Sequence, residues 1–165
     1  MSVHTNPAGP LEGLKVLDLT SGSEQYCGKL FAQLGAEVIL VEPVNGCANR
    51  REGPFLQNRA HHEHSLTFAY FNQGKRGIGL NLQHGEGQEI FRTLTRDADL
   101  VIEAERPGYL KNLQLDHDAL ARIQPKLVTT SITPFGQVGP YANYEGGDLV
   151  ALAFGGLLSL GGYPD

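Results

Sequence analysis

The chain has 165 residues, 41% hydrophobic and 19% charged, which suits one globular domain with a real core and excludes a disordered or low-complexity chain. Its formal net charge of −5 argues against a nucleic-acid partner held by bulk electrostatics, and no apolar run reaches the ~20 residues needed to span a bilayer. Two cysteines, Cys27 and Cys47, give neither a disulfide framework nor a zinc spacing, so a reducing, cytoplasmic setting without a secretory leader is the expectation.

Residues 1–13, with Pro7, Gly9, Pro10 and Gly13, are expected as an extended N-terminal extension ahead of a domain over 14–165. Lys15–Thr20 reads as a buried strand ended at Gly22. A helix is expected from Ser23, with Ser23 as cap and Glu24 suited to the first turn. Tyr26, Leu30, Phe31 and Leu34 sit at helical spacing, and Gly35 stands where a helix-ending glycine is expected. Glu37–Val41 is a β-branched second strand. Strand, helix and strand in about 30 residues make a βαβ unit with a right-handed parallel crossover.

Residues 43–65 read as a long loop broken by Pro43, Gly46, Gly53 and Pro54. Leu66–Phe71 is expected as a short strand or turn, Gly77–Leu82 as a strand, and Gly85–Arg96 as a helix with Ile90, Phe91 and Leu94 on one face. Leu100–Ile102 is a buried strand, Arg106–Gly108 a turn, and Tyr109–Leu113 and His117–Ile123 short helical pieces. Leu127–Ile132 is a strand carrying Thr129, Thr130 and Ser131. Leu149–Gly162 is apolar on nearly every face and needs cover, which points to a missing half or an obligatory partner and to self-association of the isolated chain. The alternation of strands and helices gives an α/β, Rossmann-like open parallel sheet with flanking helices.

Ligands of such sheets bind outside the carboxyl ends of the strands. Here those ends lead into Thr20–Gly22, Glu42-Pro43, Glu103–Gly108 and Thr133–Tyr141, which should converge on one crevice. Asn72-Gln-Gly-Lys-Arg76 places an amide and two cations in a turn, read either as a phosphate grip or as a solvated turn. Arg106 follows a strand end and is better placed for the crevice than Arg50-Arg51 in the long loop. No Gly-x-Gly-x-x-Gly follows the first strand, which removes support for a dinucleotide dehydrogenase. His61, His62 and His64 are spaced poorly for one tetrahedral metal site and read as exposed loop, so no metal is expected. Asp148, after Gly146-Gly147 and before the apolar segment, is the candidate active carboxylate. Its other reading is a helix N-cap, and the two are compatible. Asp18, flanked by leucines in the first strand, reads as structural.

These pieces, in this order, resemble the N-terminal part of family III CoA transferases, the group that includes formyl-CoA and carnitine CoA transferases and the α-methylacyl-CoA racemases. The resemblance runs from Leu11 to Gly162. It is carried by Leu11–Leu19, Leu34–Ile39 with Val41–Pro43, Gly53–Phe55, Asn72–Arg76 into Leu80–Leu82, and Ala98–Glu103. Arg106–Gly108, Phe135–Tyr141, Gly147-Asp148 and Gly155–Leu158 complete it. It implies CoA as cofactor, acyl-CoA and a carboxylic acid as substrates, and an interlocked homodimer or a complementing chain. It also implies CoA contacts at Glu42, Pro43, Asn72, Lys75, Arg76, Arg106, Gly136 and Tyr141. The family's nucleophilic aspartate, which attacks the thioester to give an anhydride and then an enzyme thioester, is expected beyond residue 165, with Asp148 in a supporting role. Glu24-Gln25 replace the usual Gly-Pro, Cys47 a common acid and Asn81 a common aspartate, while Gly147 stands where the racemases carry a histidine base. The resemblance therefore implies a transferase portion rather than a racemase. The alternative is a non-catalytic CoA- or nucleotide-binding or dimerising subunit completed by another chain.

Overall fold

A computed structural model describes residues 9–162. Residues 1–8 of the expected extension, and 163–165, lie outside the described residues. Five strands form one sheet: β1 Lys15–Asp18, β2 Glu37–Glu42, β3 Arg76–Gly79, β4 Leu100–Glu103 and β5 Val128–Ser131. Their order is β3-β2-β1-β4-β5 and every pairing is parallel. The expected open parallel sheet with flanking helices is present. The chain leaves β1 in one direction through β2 and β3, then returns to the other side of β1 for β4 and β5. Between β1 and β4 the order reverses, the place where such sheets open a crevice.

Period-two alternation sends neighbouring strand residues to opposite faces. Leu17, Val41 and Val101 join one core cluster with Phe91, Leu110, Leu115 and Leu120, from α3 Gly85–Thr95, α4 Tyr109–Asn112, α5 His117–Ala121 and their connections. Val16, Val38, Leu100 and Ile102 join the other, with Ala32 of α1 Gln25–Gln33 and Ala36. Phe91 is fully buried, and one such side chain contributes about 1.5–3 kcal/mol by leaving water.

Three sequence expectations are corrected. Leu66–Asn72 is a helix, α2, rather than a strand or turn. Ser65 starts it by accepting a hydrogen bond from the Phe68 N–H at 3.1 Å, which overrides the β-forming composition. A 3-10 turn over Gly22–Glu24 leads into α1, so Ser23 is not its cap. Finally, α1 buries Gln25, Gly28, Lys29 and Ala32, whereas Tyr26, Leu30 and Leu34 are each more than two-fifths exposed. On its inner face Gln25 joins a buried polar network, Lys29 lies over the Tyr70 ring at 3.3 Å, and Ala32 meets the apolar core. Gly35 closes α1 at φ +100°, as expected of a left-handed helix end.

Residues 148–154 form α6, followed by a 3-10 turn over Leu157–Leu160. Leu149, Phe154, Leu157 and Leu160 are exposed, so the apolar face is bare in this chain. No helix among the described residues is long and apolar enough to cross a membrane.

Candidate functional site

The carboxyl ends of the strands carry the polar chemistry. Asp18, last residue of β1, is buried and meets the Lys75 ammonium at 2.7 Å, with side-chain exposures of 0% and 1%. Asp18 also accepts from the Thr20 N–H at 2.9 Å and the Thr20 hydroxyl at 2.6 Å. Lys75 spends its other two protons on Gln25 O at 2.8 Å and Asn72 Oδ1 at 2.9 Å. Burial drives the Lys75 ammonium below its ordinary pKa of 10.5, against the opposing pull of Asp18. Gly28 makes room for this pair, since a Cβ there would stand 2.1 Å from Asp18 Oδ2.

The network continues through amides. Asn72 donates to Gln25 Oε1 at 2.7 Å, and Asn49 donates to the same oxygen. The Cys47 thiol lies 2.9 Å from Asn49 Oδ1 and 3.1 Å from Glu42 Oε2. Burial, then the Glu42 hydrogen bond, pushes the Cys47 thiol up from 9.0 to about 11. Glu42, last residue of β2, takes two hydrogen bonds from Arg50, at 2.7 and 2.8 Å. Burial alone would raise its pKa, but the bonds from Arg50 and Cys47 outweigh that and hold it below 4.5. Arg50 lies over the Phe68 ring at 3.7 Å and also pairs with Glu63 at 3.0 Å. The long loop is thereby tied to the ends of β1 and β2.

Clefts open around this frame. One of about 410 Å³ lies over the ends of β1, β2 and β3, lined by Leu19, Glu42, Pro43, Leu80, Glu105 and Tyr109 among others. A second, of about 480 Å³, lies beyond the ends of β4 and β5 and includes Glu105, Arg106, Thr133, Asn143 and Glu145. A third, of about 620 Å³, shares Arg106 and is walled by Lys111, His117, Thr129 and Gln137. A fourth, of about 510 Å³, is walled by Glu42, Pro43, Arg50, Arg51 and Glu63. Glu105 is common to the first two. Its carboxyl is raised above 4.5, by burial first and by the neighbouring Glu103 second. Glu103 itself is buried, accepting from the Glu105 N–H at 2.7 Å and the Gln137 amide at 3.1 Å.

The expected site residues are spread over different parts of the structure. Glu42 and Pro43 line the first and fourth clefts, and Arg106 lines the second and third. Asn72 and Lys75 are buried in the network, with their polar groups engaged inside the protein. Arg76 opens the edge strand β3 and reaches Glu37, the first residue of β2, at 2.7 Å, away from the carboxyl-end clefts. Gly136 is at φ +82° in the loop after β5, and Tyr141 packs with Phe135, Tyr144 and Phe154. Asp148 is exposed and is the first residue of α6, so Gly147 holds the N-cap position expected of Asp148. Among the described residues no cluster of His, Cys, Asp or Glu is arranged to hold a metal ion. Sequence reasoning passed over Gln25, Asn49 and Glu105. Only Gln25 carried a signal, as a departure from the resembled family's pattern at the first helix.

A family model described as CoA-transferase family III matches residues 11–165. The chain belongs to that family. This family III chain is 47% identical over 148 residues to the succinyl-CoA:(R)-benzylsuccinate CoA-transferase subunit BbsE of Thauera aromatica, covering 90% of the chain and 36% of that relative. It is 37% identical to the acetyl-CoA:oxalate CoA-transferase of Acetobacter aceti, covering 96% of the chain and 40% of the relative. Among solved structures, a CAIB/BAIF family protein from Brucella suis superposes with a TM-score of 0.86 at 37% identity, covering 96% of the chain and 42% of that structure. The family III chain thus spans about two-fifths of the length of the relatives it matches.

Proposed function

We propose that this chain is the CoA-binding portion of an acyl-CoA:carboxylate CoA transferase. The observation that carries the reading is the family match over residues 11–165 together with a cleft at the carboxyl ends of β1–β3. On this reading the CoA nucleotide lies along Pro43 and the Glu42 backbone, Arg106 meets phosphate, and the Gly136–Tyr141 loop borders the thioester arm. Asn72 and Lys75 act as the frame beneath that cleft. Arg76, paired with Glu37 at the other end of the sheet, lies outside this set of contacts.

The chemistry of the reading is covalent exchange. An aspartate carboxylate beyond residue 165 attacks the acyl carbon, the C–S bond breaks, and CoA leaves as thiolate. The thiolate then takes the aspartyl carbon of the anhydride, releasing the donor acid. The acceptor carboxylate displaces CoA from this aspartyl thioester, and the thiolate reclaims the new acyl group. Asp148, exposed at the start of α6, supports this exchange as a neighbouring charge. A homodimer or complementing chain covering the bare face of α6, in a cytoplasmic setting, belongs to the same reading.

The test is calorimetric titration of CoA into the protein, with Arg106→Gln beside it. Binding weakened about tenfold by the variant is expected for one lost charge-assisted contact. A folded protein that ignores millimolar CoA, or binds it equally well with Arg106→Gln, overturns the assignment.

A further inference from the structure

Resting on the transferase reading, we propose that Gln25 is a positioning residue for the ligand crevice, its side-chain amide holding the Thr20–Gly22 turn and the long loop in place relative to each other. Gln25 is fully buried, and every hydrogen-bonding place on its amide is filled. Its Nε2 donates to Thr20 O at 3.1 Å and faces Cys47 Sγ at 3.5 Å. Its Oε1 accepts from Asn72 at 2.7 Å and from Asn49. These partners fix which end of the amide is which. Turned over, it would set N–H groups against the two asparagine donors and its oxygen against the Thr20 carbonyl. The main-chain carbonyl of Gln25 takes the Lys75 ammonium at 2.8 Å. One residue of α1 therefore joins the exit of β1, the long loop and the end of α2.

Two of those segments frame the crevice. Thr20–Gly22 leaves β1 where the strand order reverses, directly after Leu19 of the first cleft. Asp18 holds the Thr20 N–H and hydroxyl, and Gln25 holds the remaining polar group, the carbonyl. Cys47 and Asn49 belong to the same loop as Pro43, Val44 and Asn45, which line that cleft. Gln25 itself stands outside the lining and acts through Thr20 and Asn49. Cys47 completes the arrangement. Its thiol titrates at about 11, so at neutral pH it sits uncharged 3.1 Å from Glu42 Oε2 with its sulfur toward the Gln25 amide. A carboxylate in its place would repel Glu42. Gln25 and Cys47 both depart from the pattern of the resembled family, and here the two departures meet.

Gln25→Glu separates the donor from the acceptor. As a carboxylate it still accepts from Asn49 and Asn72 but has no proton for Thr20 O, and as a carboxylic acid it regains one. The charged groups facing it are Lys75 on its carbonyl, Asp18 beyond Lys75, and Glu42 with Arg50 beyond the Cys47 thiol. All of these are shared with the wild type, whose own profile subtracts their titration. CoA is titrated by calorimetry into the full chain from about pH 8 down to about pH 5, with affinity taken per folded molecule. At the upper end Gln25→Glu binds CoA about tenfold more weakly than the wild type, the share of one lost anchor, and the gap closes as pH falls. Gln25→Met, which neither donates nor accepts, keeps a gap of at least that size at every pH, and it carries the test if the ionised glutamate unfolds the chain. A Gln25→Glu gap that stays constant with pH overturns the role. So does a folded Gln25→Met that binds CoA as the wild type does, even with lowered stability, since Gln25 is then structural only. Wild-type protein that ignores CoA sinks the transferase reading and this role with it, whereas wild-type binding matched by both variants sinks the role alone.

Discussion

Replacing Lys75 by Met asks whether this lysine is frame or ligand contact. The methionine keeps most of the side-chain length and volume but removes the ammonium. Three interactions vanish, to Asp18 at 2.7 Å, Gln25 O at 2.8 Å and Asn72 Oδ1 at 2.9 Å. Asp18 is left as a buried carboxylate with only the two Thr20 donors. Breaking a buried pair from one side costs about 3–5 kcal/mol, because the remaining charge stays desolvated. That is a large share of the roughly 5–15 kcal/mol that holds a domain together. Urea unfolding should show the midpoint falling by roughly 1–3 M at an unchanged slope. Adding Asp18→Asn removes the stranded charge and should recover part of the loss. There is also a pH signature. The folded pKa of Lys75 is lowered, so the unfolded chain binds more protons between that value and 10.5, and wild-type stability gains from this group as pH rises through the window. The methionine variant lacks that gain. A loss below about 1 kcal/mol would refute the reasoning, as would unchanged stability with CoA binding abolished, since both would move Lys75 from the frame to the ligand.

Cys47 should resist alkylation at pH 8 in the folded protein, because its thiol titrates at about 11; rapid labelling at the unfolded-chain rate would count against its burial. Its raised pKa contributes stability in full below 9.0, lost as pH rises toward 11, at most about 2–3 kcal/mol; unfolding free energies of Cys47→Ala and the wild type that run parallel across that range would contradict this. Gly28→Ala forces a Cβ against the locked Asp18 carboxylate and should cost about 1–3 kcal/mol by thermal unfolding, where a neutral result would show that the pair has slack. Ser65→Ala removes the cap of α2 and the hydroxyl's contacts to Asn49 O and Glu52 O, both at 2.7 Å, and should cost about 1–2 kcal/mol, with hydrogen exchange rising first in α2.

The sheet was legible because its strands are β-branched runs between glycines and prolines, and their spacing admits one handed crossover. The inner face of α1 was not. Periodicity rewards apolar residues, and here a helix buries Gln25 and Lys29 while exposing Tyr26, Leu30 and Leu34. Nothing local announces that Gln25 will meet Asn72, 47 positions later, or that Lys75 will meet Asp18 across 57. The helix α2 was missed for the same reason: its composition favours a strand, and Ser65 is held as a cap by partners in the long loop. For the site, the strand ends were readable from topology, and Arg106 lines two of the clefts beyond them. Glu105 escaped because a lone glutamate beside a turn carries no sequence signal. Its meaning comes from the buried Glu103 under it.

The polar chain from Asp18 through Lys75, Asn72, Gln25, Asn49 and Cys47 to Glu42 has a bearing on how this sequence can drift. The links from Asp18 to Asn49 each match a donor to an acceptor, and the single Cys47 S–H faces both Asn49 Oδ1 and Glu42 Oε2, so an exchange at one position is tolerated when its neighbours change with it. Gln25 receives from both Asn49 and Asn72, and a replacement that only donates would strand two amides at once. These seven positions should therefore move through evolution as a linked set, inherited together or rewritten together. The outer face of α1, with Leu30 and Leu34 each more than two-fifths exposed, carries none of these links and should vary independently of them.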